Sequence, residues 1–524
     1  MSQGKKPDIA SVDAQEVEEL LATLQGELSA LTYEKVALLL RTLIWVMGLI
    51  EKQSTSMRRL KRLIFGSKSE KTQAVFPKEP TPVKNSVKAR GHGRKGAGDF
   101  PGAERRRVEH PQLKSGDPCP SCGKGKLHEL KTPSRIVRIT AQPLFPAILY
   151  ELTQLRCALC GKVFTAPAPP EALLGKYDPK VGLMLGLMRF GSGLPHYRME
   201  KMQKDFGVPL PQSTQWELME ESAKALEPVH QELLTVAAGG ELLHNDDTTM
   251  RVQSLKKEKA GTERTGIFTT SILSKMGHHL AALFFTGGNH AGENLDEVLK
   301  NWAAGLDKPI QMCDALPRNR SKEFEVLLAN CLPHGRRKFV DVAENFPVEC
   351  QHVLETLGQV FRNDAEARES NLDPSPRLRF HQERSQPVMD GLHDWMQEQM
   401  DQKKVEPNSG LGEAIDYMLN HWEPLTLFLR VAGAPLSNNI CEQALKMSIL
   451  HRKNSLGYKT VNGARVGDLF MSLIHTCRLN AINPFDYLSA LLRHAADVKA
   501  KPADWLPWNY TLASDSLPSR VSPP

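Results

Sequence analysis

Two cysteine pairs, Cys119-Pro120-Ser121-Cys122 and Cys157-Ala158-Leu159-Cys160, have the spacing of metal ligands. Thiolates two residues apart in a tight turn can share one tetrahedral zinc, and a second pair closes the shell at Zn–S distances of about 2.3 Å. A closed four-cysteine shell has no open position, so the chemistry expected is structural. The alternative is four unligated thiols. Downstream lie three widely spaced acids, Asp246, Asp314 and Glu442. Carboxylates converging from separate elements can hold two divalent cations about 3.5–4 Å apart, which activate water and stabilise a departing oxygen. Magnesium suits such a set, because it takes a few carboxylates and leaves room for substrate phosphates. A chain with 60 acidic residues contains many triples of this kind, so spacing alone does not select this one.

Basic residues flank the acids. Asn438, Glu442, Lys446 and Lys453 follow one another at steps of four, four and seven, which is one face of a persistent helix. Such a face can hold a metal and grip a phosphate; the plain alternative is a surface ion pair between Glu442 and Lys446. Arg452 adjoins it. His334, Arg336, Arg337 and Lys338 form a second cluster, suited to phosphate or to a solvated face. A nucleophilic cysteine beside His334 has no third partner or oxyanion hole. Cys313, Cys331 and Cys441 are better explained as small buried residues.

The elements that must position these groups are legible in outline. Val17, Leu21, Leu24, Leu28 and Leu31 form a heptad seam, and a stripe on another face runs from Val36 through Ile64. Residues 1–71 are therefore expected to form a long helix, as a coiled coil or a helical hairpin. Residues 72–110, rich in Pro, Gly, Lys and Arg, read as a basic flexible linker. Residues 111–170 make the zinc-binding module, with short strands expected at Arg135–Ile139 and Leu149–Leu152. Residues 171–238 read as a helical module of helix-turn-helix-like spacing, a DNA reader or plain helical packing. From 239 to 495 comes an α/β layer. Strands are expected at Leu242–His244, Arg251–Gln253, Ile267–Ile272, Leu280–Phe285 and Pro309–Cys313. A helix is expected over Glu293–Trp302, and a helical insertion at about 343–430. Residues 496–524, rich in Pro and Ser, are expected to be a loose tail.

Bulk properties narrow the class. The chain has 524 residues, net charge +7 and 40% hydrophobic content, enough for several domains with true cores. Between Glu51 and His110, 16 Lys and Arg face 6 Asp and Glu. Such a segment suits a polyanion, because each neutralised phosphate releases counterions. No secretory signal pattern follows Met1. The apolar run Val36–Ile50 is interrupted by Arg41 and too short for a bilayer of roughly 30 Å, so no membrane is expected. Nine cysteines, four of them paired by spacing, suit a reducing cytoplasm better than a disulfide framework.

The chain resembles the transposases of insertion sequence 66 type, which carry an Asp-Asp-Glu (DDE) catalytic core. The likeness covers nearly all of it. It includes Leu63-Ile64-Phe65-Gly66-Ser67-Lys68-Ser69-Glu70-Lys71, the paired cysteines and Leu194-Pro195-His196-Tyr197-Arg198. It includes His244-Asn245-Asp246-Asp247-Thr248 and the cluster from Cys331 to Phe339. The most specific stretches are Asn438-Asn439-Ile440-Cys441-Glu442, Arg452-Lys453-Asn454, His475-Thr476-Cys477-Arg478-Leu479-Asn480, Asn483-Pro484-Phe485-Asp486-Tyr487 and Trp505-Leu506-Pro507-Trp508. The resemblance implies a ribonuclease-H-like catalytic core with a large helical insertion before the glutamate, and Asp246, Asp314 and Glu442 as its acids. Two positions depart from the family pattern. Asp246-Asp247-Thr248 stands where Asp-Glu-Thr is common, and pleat alternation turns only one of the two acids inward. Asp314 is followed by Ala315-Leu316 where Gly-Tyr is common.

The expected protein is thus a DNA transposase that binds the terminal inverted repeats of a mobile element, cuts them and joins them to target DNA. Two magnesium ions (manganese also serving) and a structural zinc are its expected cofactors. Double-stranded DNA, a homodimer or higher oligomer and helper proteins of the same element are its expected partners. A cytoplasmic, nucleoid-associated location is expected. The rival is a zinc-dependent DNA-binding regulator derived from a transposase and lacking catalysis; a second is a metal nuclease with no joining step.

Overall fold

A computed structural model of the chain describes residues 14–46, 72–76, 111–122, 124–128, 144–156, 163–258, 266–303 and 305–516. The chain forms two compact units, residues 78–147 and the remainder. In the smaller unit the first cysteine pair sits on a tight knuckle. Cys119 N donates to Gly125 O at 2.7 Å, Leu127 N to Asp117 O at 2.8 Å, and Gly116 N to Leu127 O at 2.8 Å. The strand expected at Arg135–Ile139 lies outside the described residues.

The larger unit opens with a helical hairpin rather than one continuous helix. Helix α1 (Ala14–Leu24) stops, residues 25–29 turn, and α2 runs over 30–46. Gly26 weakens a helix by about 1 kcal/mol relative to Ala, and Ser29 is a residue type that starts one. The reversal falls inside the expected seam, between Leu24 and Leu31, and ahead of the change of stripe. Val17, Leu21 and Ala37 are buried between the two helices, and Arg41 pairs with Glu18 at 3.1 Å. Leu31, Leu38 and Leu39 stay 66–70% exposed. A small antiparallel hairpin follows, β1 (Gln154–Arg156) with β2 (Val163–Thr165). The pairing starts at Gln154, so Leu149–Leu152, expected as a strand, is irregular.

In the helical module, α3 (Lys180–Gly186) runs into a π turn at Leu187–Gly191, and α4 (His196–Asp205) is followed by α5 (Gln212–Ala237). The turn between α4 and α5 is pinned by Gln215, which donates to Leu210 O at 2.8 Å and lies 3.0 Å from His196 Nδ1. Met219, Leu226, Val229 and Leu233 of α5 are buried in the same core as the sheet beyond it.

That sheet has five strands: β3 (Leu242–Thr249), β4 (Phe268–Met276), β5 (His279–Gly287), β6 (Ile310–Cys313) and β7 (Leu327–Asn330), in the order β5-β4-β3-β6-β7. The first three form an antiparallel meander, and its β4–β5 turn uses Gly277 at φ +58. Helix α6 (Ala291–Leu299) then crosses over, so β6 runs parallel to β3 and β7 parallel to β6. Arg251–Gln253 is not a strand; Val252 makes one bridge to Tyr458, and a helix begins at Gln253. This mixed α/β sheet is compatible with a ribonuclease-H-like core.

Directly after β7 the chain becomes helical: α7 (Leu332–Val342), α8 (Pro347–Glu369), α9 (Pro374–Arg384), α10 (Gln386–Asp401) and α11 (Gly410–Asn420). They pack around Phe339, Leu357, Met389, Leu392, Ile415 and Met418 in a core that also takes in Leu242, Ile310, Met312 and Ala329 of the sheet. The chain returns to the sheet as α12 (Asn439–Ser455) and α13 (Val461–Leu479).

Helix α13 covers the open edge of β5 through a ladder of side chains. Thr286 N donates to Asp468, Phe284 N to Ser472, Ala282 N to Thr476 and Leu280 N to Asn480, at 2.7–3.2 Å. Four helical residues rise about 6 Å and two strand residues about 6.6–6.8 Å, so one helical turn keeps step with one strand dyad. An edge that would otherwise template aggregation is closed. Beyond it, α14 (Pro484–Arg493) leads to a segment that is docked around Trp505, not loose: Trp505 is 2% exposed, and its carbonyl accepts from Tyr487 Oη at 2.8 Å, while residues 517–524 of the expected tail lie outside the described residues. The rings of Trp505, buried in the core, and Trp508, packed against it, outweigh the Pro and Ser content that suggested a tail. No described helix is long and apolar enough to cross a membrane.

Candidate active site

Strand β3 is polar from His244 to its end at Thr249, and pleat alternation sorts the first four of these residues. His244 and Asp246 share one face; Asn245 and Asp247 share the other. On the second face Asp247 is 2% exposed and already paired, 3.0 Å from His290 Nδ1 and 3.5 Å from Arg318 Nη2. Asn245 donates to Asn319 O at 2.6 Å and accepts from Gln311 at 2.9 Å, forming a buried polar plug between β3 and β6.

On the first face His244 Nδ1 lies 2.9 Å from Asn438 Oδ1, and Asn438 Nδ2 donates to Asn245 O at 3.0 Å. Asn438 immediately precedes α12, and its carbonyl accepts the Glu442 N–H at 3.1 Å. Its own N–H donates to Cys331 Sγ at 3.3 Å, while Cys441 Sγ donates to Ser271 O at 3.3 Å. These four contacts set the first turn of α12 against β3, β4 and the start of α7. Glu442 rides on that turn.

Asp314 follows β6. The parallel register pairs His244 with Met312, so Asp246 and Asp314 each stand two residues beyond a matched pair. Asp314 Oδ1 accepts from Asn319 Nδ2 at 2.7 Å and from Leu316 N at 3.1 Å. Burial first, then the charge of Asp314, and further those of Asp247 and Glu442 push the Asp246 carboxyl up to about 7, against the backbone N–H of Asp247 that it accepts. Among the described residues no Lys, Arg or His pairs with Asp246 or Asp314. Partly buried carboxylates that repel one another and lack a counterion are unfavourable unless a cation joins them. The all-oxygen donor set fits a hard divalent cation.

The basic residues divide. His334 Nδ1 lies 3.9 Å from Glu442 Oε1, and Glu442 makes no ion pair with Lys446 among the described residues. Arg336 donates to Thr72 Oγ1 at 3.1 Å, and Lys338 lies 4.4 Å over the Tyr417 ring. Arg337 sits near enough to Cys331 to favour its ionised form. Arg452 is turned to the end of β3, where it donates to Thr248 Oγ1 at 3.3 Å and Thr249 Oγ1 at 2.6 Å. Lys446 and Lys453 project from α12 into solvent. Cys313, Cys331, Cys350, Cys441 and Cys477 are all buried thiols, and burial pushes Cys331 up to about 12.

Cys119 and Cys122 share the knuckle of the smaller unit. Backbone N–H groups of Gly125 and Lys124 and the Cys119 thiol hold the Cys122 thiol below its ordinary range, a setting that favours the thiolate a metal needs. Cys157 and Cys160 lie outside the described residues.

Sequence reasoning did not single out the groups that surround the three acids: the His244–Asn438 tie, the Asn245–Gln311–Asn319 plug and the His290–Asp247–Arg318 cluster. The available signal was a run of polar residues at the end of an otherwise buried strand.

The chain is similar to two proteins of Sinorhizobium fredii that are named only as uncharacterized. It is 26% identical to Uncharacterized protein y4hP over 413 residues, covering 76% of this chain and 74% of that protein. It is 26% identical to Uncharacterized protein y4jD over 495 residues, covering 86% and 93%. The description of the Transposase IS66 family matches residues 181–466, more than half of the 524, from α3 through the sheet and the helical insertion into α13. That span contains β3, β6 and α12 with all three acids, and the chain belongs to the IS66 family of transposases.

Proposed function

We propose that the chain is a DNA transposase that binds the terminal inverted repeats of its element, cuts DNA with a divalent cation and transfers the freed strand to a target. The observation that carries this reading is the Asp246 carboxyl, raised to about 7 beside Asp314 and Glu442 with no cationic partner among the described residues. Asp246, Asp314 and Glu442 would hold magnesium or manganese. When bound, such cations activate water and stabilise a departing phosphodiester oxygen. The chain's own part is positioning. β3 and β6 present the two aspartates side by side, and the Asn438 ties present Glu442. Lys446, Lys453 and the group from His334 to Lys338 lie along the DNA path in this reading, with Arg452 bracing the end of β3. Phosphate contacts of this kind orient the duplex and carry no sequence information.

Recognition of the element ends falls to the α4–α5 segment, the basic linker and a structural zinc held by Cys119, Cys122, Cys157 and Cys160. The exposed leucines of α2 suit pairing of subunits, so that two ends are held together. Helper proteins of the same element and a cytoplasmic, nucleoid-associated location belong to the same proposal. The test is cleavage and joining of end-containing DNA in magnesium. Asp314→Asn and Glu442→Gln should bind the DNA and neither cut nor join it. Full activity of either variant refutes the site.

A further inference from the structure

Glu442 belongs to a second set of donors that hard-cation chemistry does not use. Ligand atoms of Cys331, His334 and Glu442 all lie within 4.8 Å of one another. Three elements supply them: Cys331 at the junction of β7 and α7, His334 in the first turn of α7, and Glu442 in the first turn of α12.

Each donor is prepared. Cys331 is fully buried, and its sulfur accepts the Asn438 N–H at 3.3 Å with the His334 N–H also directed to it. Backbone N–H donors of this kind stabilise a metal-bound thiolate and fix its orientation. His334 Nδ1 is buried without a hydrogen-bond partner. Its nearest acidic atom, Glu442 Oε1 at 3.9 Å, is beyond hydrogen-bonding range. A buried ring nitrogen left unsatisfied is unfavourable, and a ligand at that nitrogen removes the penalty. One sulfur, one nitrogen and one oxygen make a donor set for zinc, whereas magnesium avoids thiolate.

We propose that Cys331, His334 and Glu442 form a binding site for a zinc-class divalent cation, distinct from the paired-cysteine module and sharing Glu442 with the acidic trio. Binding exchanges the Cys331 thiol proton for the cation. Three protein ligands leave a fourth position for water. Because one carboxylate serves both sets, occupation of this site withdraws Glu442 from Asp246 and Asp314, and zinc opposes magnesium-dependent cutting. This consequence rests on the proposed catalytic role of Glu442; the binding itself does not.

The experiment titrates the full chain with cobalt(II) and follows the thiolate-to-cobalt absorption band, comparing the unaltered protein with Cys331→Ser, His334→Gln and Asp314→Asn. Thiolates elsewhere in the chain contribute equally to all four, so the difference isolates this site. Cys331→Ser should take up one equivalent fewer. His334→Gln, which alters a partly exposed position and keeps the thiol, should weaken that equivalent by about tenfold or more. Asp314→Asn should match the unaltered protein. In cleavage assays, zinc added to magnesium should inhibit the unaltered protein more than it inhibits His334→Gln. Equal cobalt uptake and band intensity in the unaltered protein, Cys331→Ser and His334→Gln, all folded by circular dichroism, overturns the proposal. Failure of the catalytic reading shows differently: Glu442→Gln would still cut DNA while the cobalt differences persisted.

Discussion

The imidazole of His244 and the side-chain carbonyl of Asn438, 194 residues apart in sequence, meet at 2.9 Å on the buried face of β3. The contact joins the strand that bears Asp246 to the helix that bears Glu442. The same asparagine donates to Asn245 O and, through its backbone, to Cys331 Sγ. One residue therefore ties together the sheet, through its side chain, and the start of the helical insertion, through its backbone, at the head of the returning helix.

Asn438→Ala should uncouple these elements. His244 Nδ1 and Asn245 O lose their partner in a buried setting, which costs about 1–3 kcal/mol. Displacement of Glu442 by about an ångström should lower the cleavage rate by roughly a hundredfold. Binding of end DNA should not change, because the lysines proposed to face phosphate lie further along α12. Thermal melting and single-turnover cleavage measure the two effects. A destabilised variant that cuts at the normal rate would show that the tie serves the fold alone.

Asp246→Asn should stabilise the cation-free protein while ending catalysis. The folded carboxyl sits at about 7 against an ordinary 3.8, so the folded state holds its proton more tightly than the unfolded state. Stability of the unaltered chain therefore falls as pH rises between about 4 and 7 and levels off above that range. Asp468, fully buried on α13 and also raised to about 7 by burial, contributes in the same sense. At pH 8 Asp246→Asn should melt higher than the unaltered protein by a margin equivalent to a few kcal/mol, and near pH 4 the two should coincide. Magnesium should reverse the order at pH 8. The outcome against this picture is a variant less stable at both pH values in chelator.

Much of this arrangement could be read from the chain, and the exceptions share a cause. The meander β3–β5 and strand β6 announce themselves as apolar runs such as Leu280–Phe285, and Asp246 stands in the second half of β3, Asp314 directly after β6 and Glu442 in the first turn of α12. Strand β7, Leu327–Asn330, is too short to show a period. Choosing Asp246 over Asp247 requires knowing which face of β3 meets α12, and only the packing supplies that. The paired-cysteine segment divides: its first knuckle is well formed, while Cys157 and Cys160 are not among the described residues. The front seam is present as a helical pattern, but a five-residue reversal folds it on itself.

Lys446→Ala and Lys453→Ala test the DNA path along α12. Each lysine that contacts phosphate releases about one counterion, so each substitution should reduce the slope of log affinity against log salt by about 1. The loss should be the same for end DNA and for unrelated duplex, because phosphate contacts do not read sequence. Fluorescence anisotropy across a salt series measures both. An unchanged slope removes these residues from the interface.

Thr476→Val tests the ladder on β5. Asp468, Ser472, Thr476 and Asn480 recur every four residues, a pattern that on its own suggests a solvent-facing stripe. Surface substitutions of that kind usually change stability by less than about 0.5 kcal/mol. In the folded chain Thr476 is buried and serves both Ala282 groups, accepting from the N–H at 2.9 Å and donating to the carbonyl at 3.3 Å. Valine keeps the shape and removes both bonds, leaving two buried backbone groups unpaired. The expected cost is about 2–6 kcal/mol by chemical denaturation, from two groups at about 1–3 kcal/mol each. Thr476→Ser restores the hydroxyl and should recover most of it. Because the opened edge of β5 can then template strand addition, Thr476→Val should also aggregate during refolding where Thr476→Ser does not. A valine variant as stable as the threonine protein would mean that α13 covers the strand by apolar packing, and that the hydroxyl is incidental.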